Sequence, residues 1–216
     1  MTARTFDVAS EFDRQYDNLV DRGYLAATDL SAGELKELVE PLRALVLERA
    51  DDMTSPTRAR VPFVLVISKR LVPADRSMPL TDHKGKPGFV SSDTEDIHRF
   101  EPIESVDVPA GQAYVLVDID RGAETLNATP DDALAAITAQ GRTPLTYDEG
   151  IAFITAFPDS LEKNNCFSLV ASRCGDRRVP ALWISNALPK LGWCWAGNPH
   201  TWLGSASCAG RAGADA

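Results

Sequence analysis

The spacing of apolar and polar positions predicts helices in the first part of the chain. Apolar residues recur at helical spacing over about residues 5–50, and Gly23 interrupts the pattern after a first helix. Ser31 and Glu34 have the spacing of a capping box and mark the start of a second helix. Pro41 lies inside this second pattern, and we expect it to kink the helix or split it in two.

The pattern then changes to short apolar runs typical of strands. Val61–Ile67 and Ala113–Gly122 are rich in β-branched residues and predict two strands. Residues 71–109 between them are polar and rich in proline and glycine, which favours a functional loop or lid, with partial disorder as the alternative. Capping residues at Thr129 and Thr146 predict two middle helices.

The last third of the chain is predicted to be mostly β. Residues 166–173 and 178–185 resemble the strands of a hairpin joined through Gly175 and Asp176, and a strand, turn and strand should follow. Strands gather late and do not alternate regularly with helices. The predicted fold class is therefore α+β: N-terminal helices, a central mostly antiparallel or mixed sheet, two middle helices and a β-rich C-terminal part.

Length and composition fit one domain. With 216 residues, 44% of them hydrophobic and 25% charged, the chain can bury a full core. We expect a single domain over residues 1–216, with an α+β core at about 60–208 and a flexible tail at 209–216. The chain has no apolar run of membrane-spanning length and no secretory pattern at its start, which predicts a cytoplasmic protein without a membrane partner.

Charge and metal-ligand spacing exclude two classes of function. The net charge of −9 argues against nucleic acid as a partner, because nucleic-acid binding needs a basic face. The four cysteines form no CxxC pair, and no two histidines have helical metal spacing, so we expect neither a metal nor another cofactor. Common nucleotide-binding and hydrolase motifs are missing as well.

Acidic side chains end the second predicted strand. Alternation places Asp118 and Asp120 on one face, where paired carboxylates can drive their pKa values apart and leave one of them as a catalytic base. Arg121 follows them and could bind an anionic substrate. The alternative is a polar strand end at which Arg121 pairs with a neighbouring acid.

The stretch KLGWCWAGNPHTWLG is the most distinctive part of the sequence. Trp193 and Trp202 could form an aromatic wall, with Lys190 as a nearby cation. The turn at Asn198 could direct His200, a candidate catalytic acid or base, toward the substrate. The alternative is that the aromatic residues belong to the core and that the histidine is a hydrogen-bonded structural group.

Three further polar residues are candidates for substrate binding. Lys163 and Asn164 precede a predicted strand and could orient an anionic ligand, or they could form an ordinary helix-end turn. Arg173 adjoins the predicted hairpin turn and could bind a sulfate, phosphate or carboxylate unless the turn faces solvent. Glu149 has the position of a helix-capping acid after Thr146, and we assign it that structural role.

Several segments together resemble a known family. VDIDRG, GRTPLTYDEGIAFITAFP, LEKNNCFSL and GDRRVPALWIS with PKLGWCWAGNPHTWLG are similar to an uncharacterised actinobacterial family of unknown function. The resemblance runs from about residue 10 to 211. It implies a single soluble cytoplasmic domain and no particular activity.

The chain also resembles, more distantly, proteins of azinomycin-type biosynthesis that form aziridine rings beside a sulfotransferase. This resemblance implies an enzyme of specialised metabolism in which an amine displaces a sulfate group, on a substrate that could be bound to a carrier protein. Asp118, Asp120 or His200 would be the base, and Arg173 or Lys190 would hold the sulfate. The alternative function is a non-catalytic module that binds a small molecule or a protein partner.

Overall fold

A computed structural model describes residues 6–214, so the first five residues and the last two of the predicted tail lie outside the described part. Six α-helices lie in the described part: α1 (Val8–Asp21), α2 (Tyr24–Thr28), α3 (Ala32–Leu47), α4 (Ala74–Ser77), α5 (Pro130–Ala139) and α6 (Tyr147–Ala156). Short 3₁₀ helices lie at Ala50–Asp52, Met78–Leu80, Ser92–Thr94, Ile97–Arg99, Ala123–Thr125 and Pro158–Ser160.

Within residues 6–214 the strands form two five-stranded sheets and two small ribbons, and with the helices they give the predicted α+β fold. The strands are β1 (Arg60–Ile67), β2 (Asp82–His83), β3 (Lys86–Pro87), β4 (Phe89–Val90), β5 (Glu101–Pro102), β6 (Ala113–Asp120), β7 (Thr143–Pro144), β8 (Cys166–Ser168), β9 (Ser172–Arg173), β10 (Arg178–Ser185), β11 (Leu188–Trp195), β12 (Leu203–Ser205), β13 (Ser207–Cys208) and β14 (Gly210–Gly213).

The first sheet has the order β1-β6-β13-β7, and β14 also pairs with β6. Its pairings are antiparallel. The second sheet has the order β12-β8-β10-β11-β4 and is mixed, because β12 runs parallel to β8 and β4 runs parallel to β11. A central sheet of mostly antiparallel or mixed pairing was expected, but these two parallel pairings leave no local signal in the sequence.

The N-terminal helices cover one face of the first sheet. Phe63 and Leu65 of β1 share a buried cluster with α1 and α3, whereas Val64 and Val66 lie in the cluster that contains α6. Both predicted capping boxes, at the starts of α3 and α6, are present. Pro41 does not split α3, which is continuous and buries an apolar stripe on both sides of the proline.

The β1–β6 ladder contains one irregular step that shapes the region described below. Asp118 has a φ of 54°, in the left-handed region that non-glycine residues rarely adopt. Pro62 lies opposite it in the register and has no N–H group with which to continue the ladder. Beyond this step Val61 and Ile119 belong to the α6 cluster, so the side-chain alternation of both strands reverses there.

The expected flexible tail is wrong for residues 210–213. These residues form β14, which pairs antiparallel with β6 from Gly210↔Val117 to Gly213↔Tyr114. The side chain of Arg211 explains why this segment is ordered. It binds both carboxylate oxygens of Glu149 at 2.5 and 2.7 Å, Thr143 Oγ1 at 2.7 Å and the Pro144 carbonyl at 2.7 Å.

The predicted hairpin is correct only in part. β8 ends at Ser168 and pairs antiparallel with β10, but residues 172–173 form β9 and pair with β5 instead. The tight turn lies one strand later, between β10 and β11. Asn186 and Ala187 both have positive φ values, 52° and 64°, as a type I′ turn requires.

The long polar segment at 71–109 packs against the rest of the protein. It contributes buried side chains to the two clusters described above: Val72, Ala74, Met78, Ile97 and Phe100. Its short strands and turns run beside β11, where β4 pairs with Lys190 and Leu191. No helix within residues 6–214 has both the length and the apolar character needed to cross a bilayer.

Candidate functional site

The irregular step in β6 carries a carboxylate held between two arginines. Arg60 donates from Nε to Asp118 Oδ1 at 2.5 Å and from Nη2 to Oδ2 at 2.7 Å. Arg142 donates from Nη1 to the same Oδ2 at 2.6 Å and from Nη2 to the Asp118 backbone carbonyl at 2.6 Å. Arg142 also contacts Ser207, which fixes its guanidinium between β6 and β13.

This environment favours the ionised form of Asp118. The hydrogen bonds from Arg60 lower the pKa of the Asp118 carboxyl, partial burial opposes them, and the bonds and charge of Arg142 lower the pKa further. Asp118 is therefore a poor proton acceptor at neutral pH, although the sequence makes it a candidate base. The left-handed backbone conformation of Asp118 costs free energy, and contacts with neighbouring residues hold it in place. Backbone strain of this kind often marks functional sites.

A cavity of about 580 Å³ opens beside Asp118. Its apolar lining comes from Met53, Val61, Pro62, Val117 and Ala209. Its charged lining comes from Arg49 and Asp52 on the connector after α3 and from Arg60 and Asp118 on the sheet. Cavities of this size with an apolar lining and a few polar groups are typical of small-molecule sites.

A second, smaller cavity lies on the other side of Arg60. It measures about 140 Å³ and is lined by Asp120, Arg142, Ser205 and Ser207 together with Arg60. Asp120 accepts a hydrogen bond from the Gly122 backbone N–H at 2.7 Å. The hydrogen bond to Asp118 is the main cause that raises the pKa of Arg60, and the negative charges of Asp118 and Asp120 add to it. Arg60 therefore connects the two acids predicted from the sequence.

Arg121, a candidate binding residue from the sequence, is buried and bonded to other parts of the chain. Its side chain is buried, and Nη1 donates to the Ser160 carbonyl at 3.3 Å and to Glu162 at 3.1 Å. Glu162 also accepts from Arg58 at 2.8 Å, which ties the connector before β1 to the turn after α6. The pair with Glu162 agrees with the alternative considered for Arg121, in which it pairs with a neighbouring acid.

The tryptophans do not form a single wall. Trp183 lies opposite Lys190 in the β10–β11 register, so the two side chains share a face, and Lys190 Nζ lies 5.0 Å from the Trp183 ring centroid. Trp193 is an odd number of residues from Lys190 and faces the other side, where it packs against Trp195 with centroids 4.8 Å apart. The Trp193 indole also donates to the Asp93 carbonyl at 3.0 Å.

Trp202 and His200 lie on the Trp183 side of the second sheet. The Trp202 ring is 6.4 Å from that of Trp183 and 5.3 Å from that of His200. Asn198 is exposed in the turn between β11 and β12, and its backbone N–H donates to Trp195. The described residues that line the two cavities at Asp118 and Asp120 include neither a tryptophan nor His200, so the structure does not bring these groups into one site.

The remaining predicted substrate-binding residues lie elsewhere. Lys163 and Asn164 are exposed in the turn before β8, and Asn164 has a φ of 66°, which fits the turn alternative. Arg173 donates to the carbonyls of Val170 and Ser172, and burial lowers the pKa of its guanidinium. Both bonds come from Nη1, and Nη2 lies 3.7 Å from a carboxylate oxygen of Asp131, so the group expected to bind an anion already has partners within the protein.

Sequence reasoning missed the two arginines that define the site. Arg60 precedes a predicted strand and Arg142 follows a helix, and neither position carries a motif. The pairing of β1 with β6 brings Arg60 to Asp118, and the pairings of β7 with β13 and of β13 with β6 bring Arg142 there. Among residues 6–214, no group of three or more histidine, cysteine, aspartate or glutamate side chains is arranged to hold a metal ion.

Comparison with known proteins gives a family but no function. No curated protein and no solved structure has significant similarity to the chain. One family model matches residues 18–214, which include all of β1, β6 and β13 and therefore the whole cluster around Asp118. By this match the chain belongs to the Family of unknown function (DUF5701).

Proposed function

We propose that the protein binds a small organic molecule in the 580 Å³ cavity beside Asp118. The observation that carries the proposal is the left-handed Asp118, which two arginines hold at the edge of an apolar-lined cavity. Strained backbone of this kind persists where surrounding contacts impose it, and it is common at ligand sites. The apolar lining would bind the body of the ligand, and the charged groups would orient its polar end.

A fragment screen with a blocking variant tests this proposal. Ala209 is exposed and lines the cavity, so Ala209→Trp should fill the cavity without disturbing a core residue. Ala135→Trp, at an exposed position on α5, is the matched control. We expect fragments to shift the NMR signals of Val117 and Ala209, and we expect binding to be lost only in the cavity-filling variant. Fragments that bind both variants equally, or that shift no cavity signals, would contradict the proposal.

Intramolecular cyclisation with loss of sulfate is a second candidate. Arg60 lines both cavities and could hold a sulfate ester, while Asp120 in the smaller cavity could accept the proton of the attacking amine. In this reaction the amine nitrogen bonds to the carbon that carries the sulfate, the C–O bond breaks, and sulfate leaves with the electron pair. Asp118 is less suitable as the base, because its two arginines lower its pKa and so weaken it as a proton acceptor.

Release of sulfate from a sulfated 1,2-amino alcohol measures this activity directly. Cyclisation predicts release faster than in buffer, with the aziridine as product, and loss of the acceleration in Asp120→Asn. The control is Asp17→Asn, which changes an exposed acid on α1 and should leave the rate unchanged. A rate equal to that in buffer, or an Asp120→Asn variant with full activity, would contradict the cyclisation.

A further inference from the structure

Arg60 and Arg142 bind the same carboxylate but differ in how firmly they are held. Arg142 is 15% exposed and has partners on Asp118 and Ser207. Arg60 is 58% exposed, and within residues 6–214 its guanidinium bonds only to Asp118, through Nε and Nη2. A guanidinium carries five N–H donors, so Arg60 retains donors with no partner among the described residues.

The balance of charge around the larger cavity favours an anionic ligand. Arg49 and Arg60 line it together with Asp52 and Asp118, which gives two charges of each sign. Arg142 lies behind Asp118, outside the lining, and neutralises that carboxylate. The remaining lining charges are two arginines against Asp52, so a ligand with one negative charge complements the cavity.

The pairing also permits Arg60 to move. The Arg60 side chain is largely exposed, so water can solvate its guanidinium when the pair with Asp118 opens. Asp118 would not become an unpaired charge when Arg60 leaves, because Arg142 keeps its contacts with both the carboxylate and the backbone carbonyl. An exchange of partners at Arg60 is therefore compatible with the rest of the cluster.

We infer that the cavity takes a small organic anion, a carboxylate on an apolar body, and that Arg60 changes partner from Asp118 to this anion while Arg142 retains Asp118. The inference rests on the proposed function, because it assigns a charge and an anchoring residue to the same cavity. The apolar side chains that line the cavity, among them Met53, Val117 and Ala209, would bind the body of the ligand. The forked donors of an arginine match the geometry of a carboxylate.

Three probes of one shape test the inference: benzoate, neutral benzamide and cationic benzylamine. We expect benzoate to bind most tightly, to shift the Arg60 Nε–H and Val117 methyl NMR signals, and to leave the Arg142 Nε–H signal nearly unchanged. Arg60→Gln should weaken benzoate binding about tenfold or more, because a charge-assisted hydrogen bond is lost. The matched control is Arg58→Gln, which removes an exposed arginine paired with Glu162 and should not alter affinity.

The outcomes separate this inference from the proposed function. If benzamide or benzylamine binds in the cavity as tightly as benzoate, the inference of an anion is overturned and the cavity remains a binding site. If Arg60→Gln binds benzoate as the unmodified protein does, the role of Arg60 is overturned. If no probe shifts the Val117 signal although other fragments do, the anionic class is wrong. If no fragment shifts it, the proposed function fails as well.

Discussion

Replacing Arg211 by methionine should destabilise the whole fold, although this residue lies near the end of the sequence. The Arg211 side chain is 4% exposed and its partner Glu149 is fully buried. The substitution removes four hydrogen bonds, and among the described residues it leaves the Glu149 carboxylate with only the Tyr114 hydroxyl and the Thr146 N–H as partners. Breaking a buried ion pair by removing one partner costs about 3–5 kcal/mol.

In a chain of this size 1 kcal/mol corresponds to about 2–4 °C in Tm, so the variant should melt about 6–20 °C lower. Thermal and urea unfolding followed by circular dichroism measure the change. Adding Glu149→Gln to Arg211→Met should recover part of the loss, because the uncompensated buried charge disappears. Arg58→Met, at an exposed ion pair, is the control and should stay within about 2 °C of the original protein. An Arg211→Met variant that melts as the control does would refute the reasoning.

Three further predictions follow from single side chains. Two arginines lower the pKa of the Asp118 carboxyl, so the stability that Asp118 contributes is present above its unfolded pKa of about 3.9 and is lost as pH falls through the lower folded value. Asp118→Asn should therefore reduce Tm at pH 7, and the difference in Tm from the original protein should shrink below about pH 4. A difference independent of pH would contradict this. Ala187→Gly should stabilise the protein by about 1 kcal/mol, measured by urea unfolding, because glycine adopts the left-handed turn without strain; an unchanged midpoint would argue against strain at Ala187. Burial raises the pKa of Cys208 to about 12. A thiol reagent should therefore label the partly exposed Cys174 well before Cys208 in the native protein, as measured by mass spectrometry. Equal labelling rates would contradict the burial of Cys208.

Local features of the fold were predictable from the sequence. The helix starts at Ser31, Thr129 and Thr146 follow from short-range capping rules, and the structure has each of them. The apolar runs that became β1 and β6 were also clear, because buried strands concentrate β-branched residues.

The candidate site was predictable only in part, because it depends on contacts between distant segments. Asp118 and Asp120 stand out at the end of an apolar run, but nothing near them in the sequence indicates Arg60 and Arg142. The left-handed backbone of Asp118 depends on the strands on both sides of it. The division of the tryptophans between two faces follows from the β10–β11 register, which the turn at Asn186 sets.

The pairing of β14 with β6 has a consequence for folding and aggregation. Gly210 pairs with Val117, 93 positions earlier in the chain, whereas β10 and β11 are joined by a two-residue turn. Contacts between distant segments form more slowly than local ones, so the hairpin should form early and β14 should dock late. Until then β6 exposes an unpaired, strongly apolar edge, the kind of edge that templates association between chains. Substitutions that weaken β14 should therefore cause aggregation during refolding, with the β6 edge as the point of contact.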